Sequence, residues 1–136
     1  MLQAYSSNIS VTANTAFPFN NVTIDKGCGE TLSAPSSIQL NQRGVYLVEV
    51  DGFGTGAAAG ANTVQLMVNG VAQPQAISSY TADADTISSF GFKTFVPVTT
   101  TNCPCNCVAG PTVLQIMNGA INLTDAHINV VVTKIR

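Results

Sequence analysis

Gly44-Val45-Tyr46-Leu47-Val48-Glu49-Val50-Asp51 is the run from which the fold can be read. Successive side chains of an extended strand point to opposite faces, so Tyr46, Val48 and Val50 share one face and Leu47, Glu49 and Asp51 the other. One face is apolar and the other carries two carboxylates. That is the pattern of an antiparallel strand packed on a core from one side only.

Upstream, the turn Asn41-Gln42-Arg43-Gly44 follows a short strand, Ser37-Ile38-Gln39-Leu40. Residues 25–30 read as a loop. Phe17 to Ile24 reads as extended across a bend at Asn20-Asn21, with Phe17 and Phe19 inward and Val22 and Ile24 as further inward candidates. A weaker segment lies around Tyr5 to Val11. Downstream, residues 52–60 hold four Gly and three consecutive Ala and read as a loop. Val64-Gln65-Leu66-Met67-Val68 then meets Asn69-Gly70 and Val71-Ala72-Gln73. Asn-Gly between alternating runs predicts a two-residue hairpin, because both central residues of a type I′ turn need positive φ. A polar loop is expected over 78–89, then strands at Phe90 to Val98, Thr112 to Asn118 and His127 to Ile135. Eight or nine short strands with turn signals between them predict a sandwich or barrel.

Composition agrees. Val, Ile and Thr number 39, against 17 for Leu, Met, Glu, Lys and Arg together. β-branched side chains suit a pleated sheet better than a helix. No ten-residue helical periodicity, repeat or linker interrupts the 136 residues, so one all-β domain over 1–136 is expected. Only 9% of residues are charged and the net charge is −2, which leaves no basic patch for nucleic acid or an anionic membrane. At 46% hydrophobic the chain is not disordered. No apolar run approaches the ~18 residues of a membrane-spanning helix. With no Lys or Arg before Lys26 and no apolar run at the start, no cleavable leader is expected. Asn-x-Ser/Thr triplets at Asn8, Asn21 and Asn122 carry little weight in so Thr-rich a chain.

Two strands are apolar on both faces. Ile128, Val130 and Val132 share one side of the last strand, yet Val131 and Ile135 are apolar too. Around Thr112, Leu114 and Ile116 are opposed by Val113 and Met117. An outer face of this kind needs cover, and a second copy of the chain is the expected cover, with a loop of the same chain as the alternative.

In their order, Phe17-x-Phe19, Gly44 to Val50, the Val68-Asn69-Gly70-Val71 hairpin, Leu114-x-Ile116-x-Asn118 and Ile128 to Ile135 resemble the C1q/tumour-necrosis-factor type of jelly roll. The small versions in bacteriophage virion proteins and in bacterial spore-surface collagen-like proteins are the nearest likeness. The resemblance implies a ten-strand, two-sheet antiparallel sandwich assembled as a homotrimer, with roles in display, adhesion and assembly rather than catalysis. On this reading Val113, Met117, His127, Asn129, Val131 and Ile135 are the expected trimer-interface residues. Spore-surface members carry a Gly-x-y stalk, which needs Gly at every third residue; Gly52-Phe53-Gly54-Thr55-Gly56 lacks that period. The expectation is therefore a virion component made in the host cytoplasm (a head-decoration, fibre or tail-tip protein), contacting other virion proteins. Residues 52–60 and 78–89 would be its presented loops. The alternative is a module of a phage, bacterial or spore surface that binds a host glycan or protein, for which Tyr80 and Phe90 would be candidate contacts.

The remaining chemistry is sparse. Cys28 and the Cys103-Pro104-Cys105-Asn106-Cys107 run could hold a structural metal, but zinc ligands usually follow Cys-x₂₋₄-Cys spacing, so disulfides or free thiols are the preferred reading. No cofactor is expected. His127 is the only histidine, so any Ser-His or Cys-His catalysis must use it; with no nucleophile-elbow sequence, a surface or interface role is preferred. If three copies bring their His127 rings together, assembly becomes pH-sensitive. Asp83 and Asp85 read as a solvated loop rather than a calcium site. Glu49 and Asp51 could mimic a glycosidase carboxylate pair, but the chain has no Trp and three Tyr to line a sugar cleft. The protein is expected not to be an enzyme.

Overall fold

The computed structural model of the chain describes residues 1–99 and 112–136. Ten strands follow in order: β1 Leu2–Val11, β2 Asn21–Asp25, β3 Glu30–Ala34, β4 Ser37–Leu40, β5 Gly44–Gly56, β6 Gly60–Val68, β7 Val71–Ala82, β8 Ile87–Val98, β9 Thr112–Asn118 and β10 Leu123–Lys134. They form two antiparallel five-stranded sheets, β2-β1-β10-β5-β8 and β3-β4-β9-β6-β7. Between the sheets lies one core. Tyr46, Val48 and Val50 of β5, Ile128, Val130 and Val132 of β10, and Leu114 and Ile116 of β9 all point into it. The alternation of residues 44–51 is therefore the alternation of core and outer face.

The hairpin at Asn69-Gly70 forms with φ of 50° and 79°, and Val68 pairs with Val71. Elsewhere the strands exceed their sequence signals. β5 continues through Gly52, Gly54 and Gly56, so residues 52–60 reduce to a short turn at 57–59. These glycines are needed for close approach rather than for turning. A Cβ on Gly52 would run into the carbonyl oxygen of His127 and lie 2.8 Å from the Phe90 ring. Residues 78–89 likewise belong to β7 and β8 apart from a turn at 83–86, where Asp85 takes φ of 59°. Both are edge strands, and the half-buried Ser78 and Ser88 take inward positions in line with Ala76 and Phe90, which weakens the apolar alternation.

Two further elements differ from the reading of the sequence. The weak N-terminal segment is a long strand lying inside its sheet between β2 and β10. Its signal is faint because its inward residues include Ala4 and Ser6; Ser6 Oγ donates to Pro18 O (2.7 Å) and accepts from Asn20 N (2.8 Å). Glu30 opens a strand instead of closing a loop. It is 3% exposed, pairs with the Met1 α-ammonium at 3.0 Å, and accepts the Lys134 amide at 3.2 Å. Of the inward candidates near the start, Phe17 and Phe19 are buried, whereas Val22 is exposed on the edge strand β2.

Opposite that end, a buried amide network ties the β9–β10 connection down. Asn62 Nδ2 donates to Tyr80 OH (2.7 Å) and Asn118 Oδ1 (3.1 Å), Asn118 Nδ2 donates to Ile121 O (2.8 Å), and Ile121 N donates to Asn62 Oδ1 (3.2 Å). Buried amides are tolerated because these partners replace water.

Candidate assembly face

The outer side of the β2-β1-β10-β5-β8 sheet collects the residues that alternation turns away from the core. Strand register arranges them in rows. In the first row, Phe53 of β5 stands opposite His127 of β10; the rings stack with centroids 5.3 Å apart, and Tyr5 of β1 lies 6.3 Å from the same imidazole. The second row runs Asp51, Asn129, Tyr5. The third runs Lys93, Glu49, Val131, Gln3, and the fourth Phe95, Leu47, Thr133. Amides link the middle rows: Gln3 Nε2 donates to Asn129 Oδ1 (3.1 Å), and Asn129 Nδ2 donates to Asp51 Oδ1 (3.2 Å). Phe53, Phe95 and Ile87 are exposed, at 43%, 58% and 68%. Among the described residues nothing covers these side chains, and exposed apolar surface of this kind is characteristic of interaction sites in general.

His127 is held in place by three adjacent strands. β1 bulges at Ser7-Asn8, with Asn8 at φ 53°, and β10 bulges at Asp125, with φ 48°. The paired bulges bring Ser7 Oγ within 2.9 Å of His127 Nδ1, while Gly52 makes room for the His127 carbonyl. The Ser7–His127 contact is exposed, and the Asp51 carboxylate on the same face accepts from the Asn129 amide. This is a ring fixed in orientation.

The expected interface residues fall on both sides of the sandwich. His127, Asn129 and Val131 are on the face just described. Val113 and Met117, half-buried, lie on the outer side of the other sheet, among Gln39, Gln65 and Gln115. Ile135 follows the end of β10 and is 51% exposed. Cys28 is an exposed free thiol, and Cys103, Cys105 and Cys107 lie outside the described residues. Among the described residues no three His, Cys, Asp or Glu side chains converge. Tyr80 and Phe90 stack on one another and pack toward the core, so neither is displayed at a loop tip. Burial raises the Tyr80 phenol pKa above its ordinary value.

Phe53, Tyr5, Leu47 and Phe95 are the face residues that sequence reasoning did not single out. The glycines around Phe53 made its strand look like a loop, and only the register shows that the four share one side with His127.

Ten strands in these two sheets make a jelly roll, and its fold is C1q/TNF-like. No protein-family model and no curated protein sequence matches the chain. Solved structures do. The chain is similar to the Eiger TNF of S. frugiperda (TM-score 0.70, 13% identity, 99% of this chain and 92% of that one covered). It is also similar to the globular domain of zebrafish complement 1qA (0.65, 9% identity, 96% and 94%). A third likeness is to the vertex protein P5 of bacteriophage PRD1 (0.59, 18% identity, 99% and 96%). No helix of the described residues is long and apolar enough to cross a membrane.

Proposed function

We propose that this protein is a non-enzymatic structural module that works as a homotrimer, and that its place is in a bacteriophage particle as a head-decoration, fibre or tail-tip component. The observation that carries the trimer is the outer face of the β2-β1-β10-β5-β8 sheet, where the described residues of the single chain provide no covering layer over Tyr5, Leu47, Phe53, Phe95 and Val131. A ring of three copies buries that face by setting one patch of each copy against a different patch of the next. The virion reading rests on the likeness to the PRD1 vertex protein.

Sedimentation equilibrium at micromolar concentration tests the assembly. A trimer mass is expected, and a stable folded monomer would remove the basis for the display role. For the location, antibody against the protein is expected to label intact phage particles of the strain that encodes it, and particles that lack the protein would refute it.

A further inference from the structure

Charge is scarce in this chain, with twelve ionisable Asp, Glu, Lys and Arg side chains in 136 residues, yet three of them stand together on this outer face, on β5 and the edge strand β8. Glu49 and Asp51 are two residues apart on β5 and therefore side by side. Lys93 is on the neighbouring edge strand β8, in register with Glu49. Asp51 is engaged through one oxygen by the Asn129 amide. Among the described residues the one ion pair is Met1–Glu30, so Lys93, Glu49 and Asp51 enter none within their own chain. The other four cations lie elsewhere: Lys26 follows β2, Lys134 Nζ donates to Gln42 Oε1, and Arg43 and Arg136 line a groove with Val45 and Pro97 at one end of the sandwich.

Covering this face with protein takes two adjacent carboxylates out of water, which costs heavily unless a cation comes with the cover. The same chain carries a suitable edge. β7 and β8 are both twelve residues long, both are edge strands, and the 83–86 turn joins them on one side of the sandwich. Pro74 and Pro97 interrupt the row of amide donors along that side, so it is covered through side chains rather than by an added strand. On β8, Ile87 and Phe95 are apolar and exposed, and Lys93 lies between them on the same face. Anchor and cation are presented together.

We propose that in the homotrimer Lys93 of each copy pairs with Glu49 and Asp51 of the next copy around the ring, and that this contact sets the register of assembly. The inference rests on the trimeric reading above. Charge complementarity of this kind selects partner and register.

The test is sedimentation velocity at low ionic strength on wild type, K93E, K93Q and the double variant E49K/D51K. K93E and E49K/D51K are each expected to lose the trimer boundary at a concentration where wild type shows it, with circular dichroism unchanged; K93Q is expected to shift the boundary less. Mixing K93E with E49K/D51K restores trimers, because a mixed ring matches charges at two of its three contacts. Trimeric K93E and K93Q overturn the proposal. So does a mixture that stays monomeric, since Lys93 then acts inside its own chain. A monomeric wild type is a different result: it removes the trimer itself. If K93E fails to fold, K93Q together with the salt dependence of the wild-type trimer decides the matter, because a salt-insensitive trimer refutes the ion pair.

Discussion

Gly119 and Gly70 show how differently one residue type is required. A Cβ at Gly119 would lie 2.6 Å from Asn62 Oδ1 and 2.8 Å from the Thr63 amide, inside the buried amide network. Gly119→Ala therefore forces that network apart, and we expect a loss of about 2–3 kcal/mol of stability in urea unfolding. Gly70 has nothing within 4 Å of its Cβ position, only a φ of 79°. Gly70→Ala is expected to cost about 1 kcal/mol, as backbone strain alone. Tyr46 makes a further point. Burial raises its phenol pKa, as does the nearby Glu30 carboxylate, and burial does the same to Tyr80. In the unfolded chain both phenols lose their protons first, near the ordinary value of about 10. The native state is thus fully favoured below that pH and loses stability as pH rises through the folded values. Urea midpoints measured from about pH 8 to pH 11 should fall more steeply for wild type than for Tyr46→Phe or Tyr80→Phe.

At the scale of elements, apolar alternation was legible wherever inward residues are large. Tyr46, Val48 and Val50 announce β5, and Ile128, Val130 and Val132 announce β10. It failed where inward positions are small or polar. Ala4 and Ser6 hide β1, Gly52 and Gly54 hide the second half of β5, and a buried Glu30 hides β3. In each case a neighbour that the local sequence does not mention supplies the explanation: the Pro18 carbonyl for Ser6, the His127 carbonyl for Gly52, the Met1 ammonium for Glu30. The paired bulges at Asn8 and Asp125 belong here too, since Asn and Asp tolerate left-handed backbone and each occurs inside a strand. Replacing Asp125 by Val should strain the bulge and release His127 from Ser7, read as movement of the imidazole resonances in NMR together with a loss of about 1–2 kcal/mol in stability.

For the whole molecule, the question is what the outer sheet face is for. Val131→Arg puts a charge at its centre without touching the core, and we expect a folded chain, judged by its melting transition, that no longer assembles. The cysteine run at 103–107 lies outside the described residues. Mass measurement with and without reductant would report its bonding, and a mass unchanged by reductant and chelator is the expectation for free thiols.

By itself the sequence determined the class of fold, because alternation and β-branched residues leave the chain few ways to bury its apolar side other than two facing sheets. It also determined the hairpin at Asn69-Gly70, where local φ requirements are enough. Only the tertiary structure decided which outer residues form a common face. Val131 and Val113 look alike in the sequence, yet strand order sends them to opposite sides of the sandwich. Phe53 and His127 are 74 positions apart and meet only because β5 and β10 are neighbours. Pairing between distant strands is a property of the closed sheet, and no local pattern encodes it.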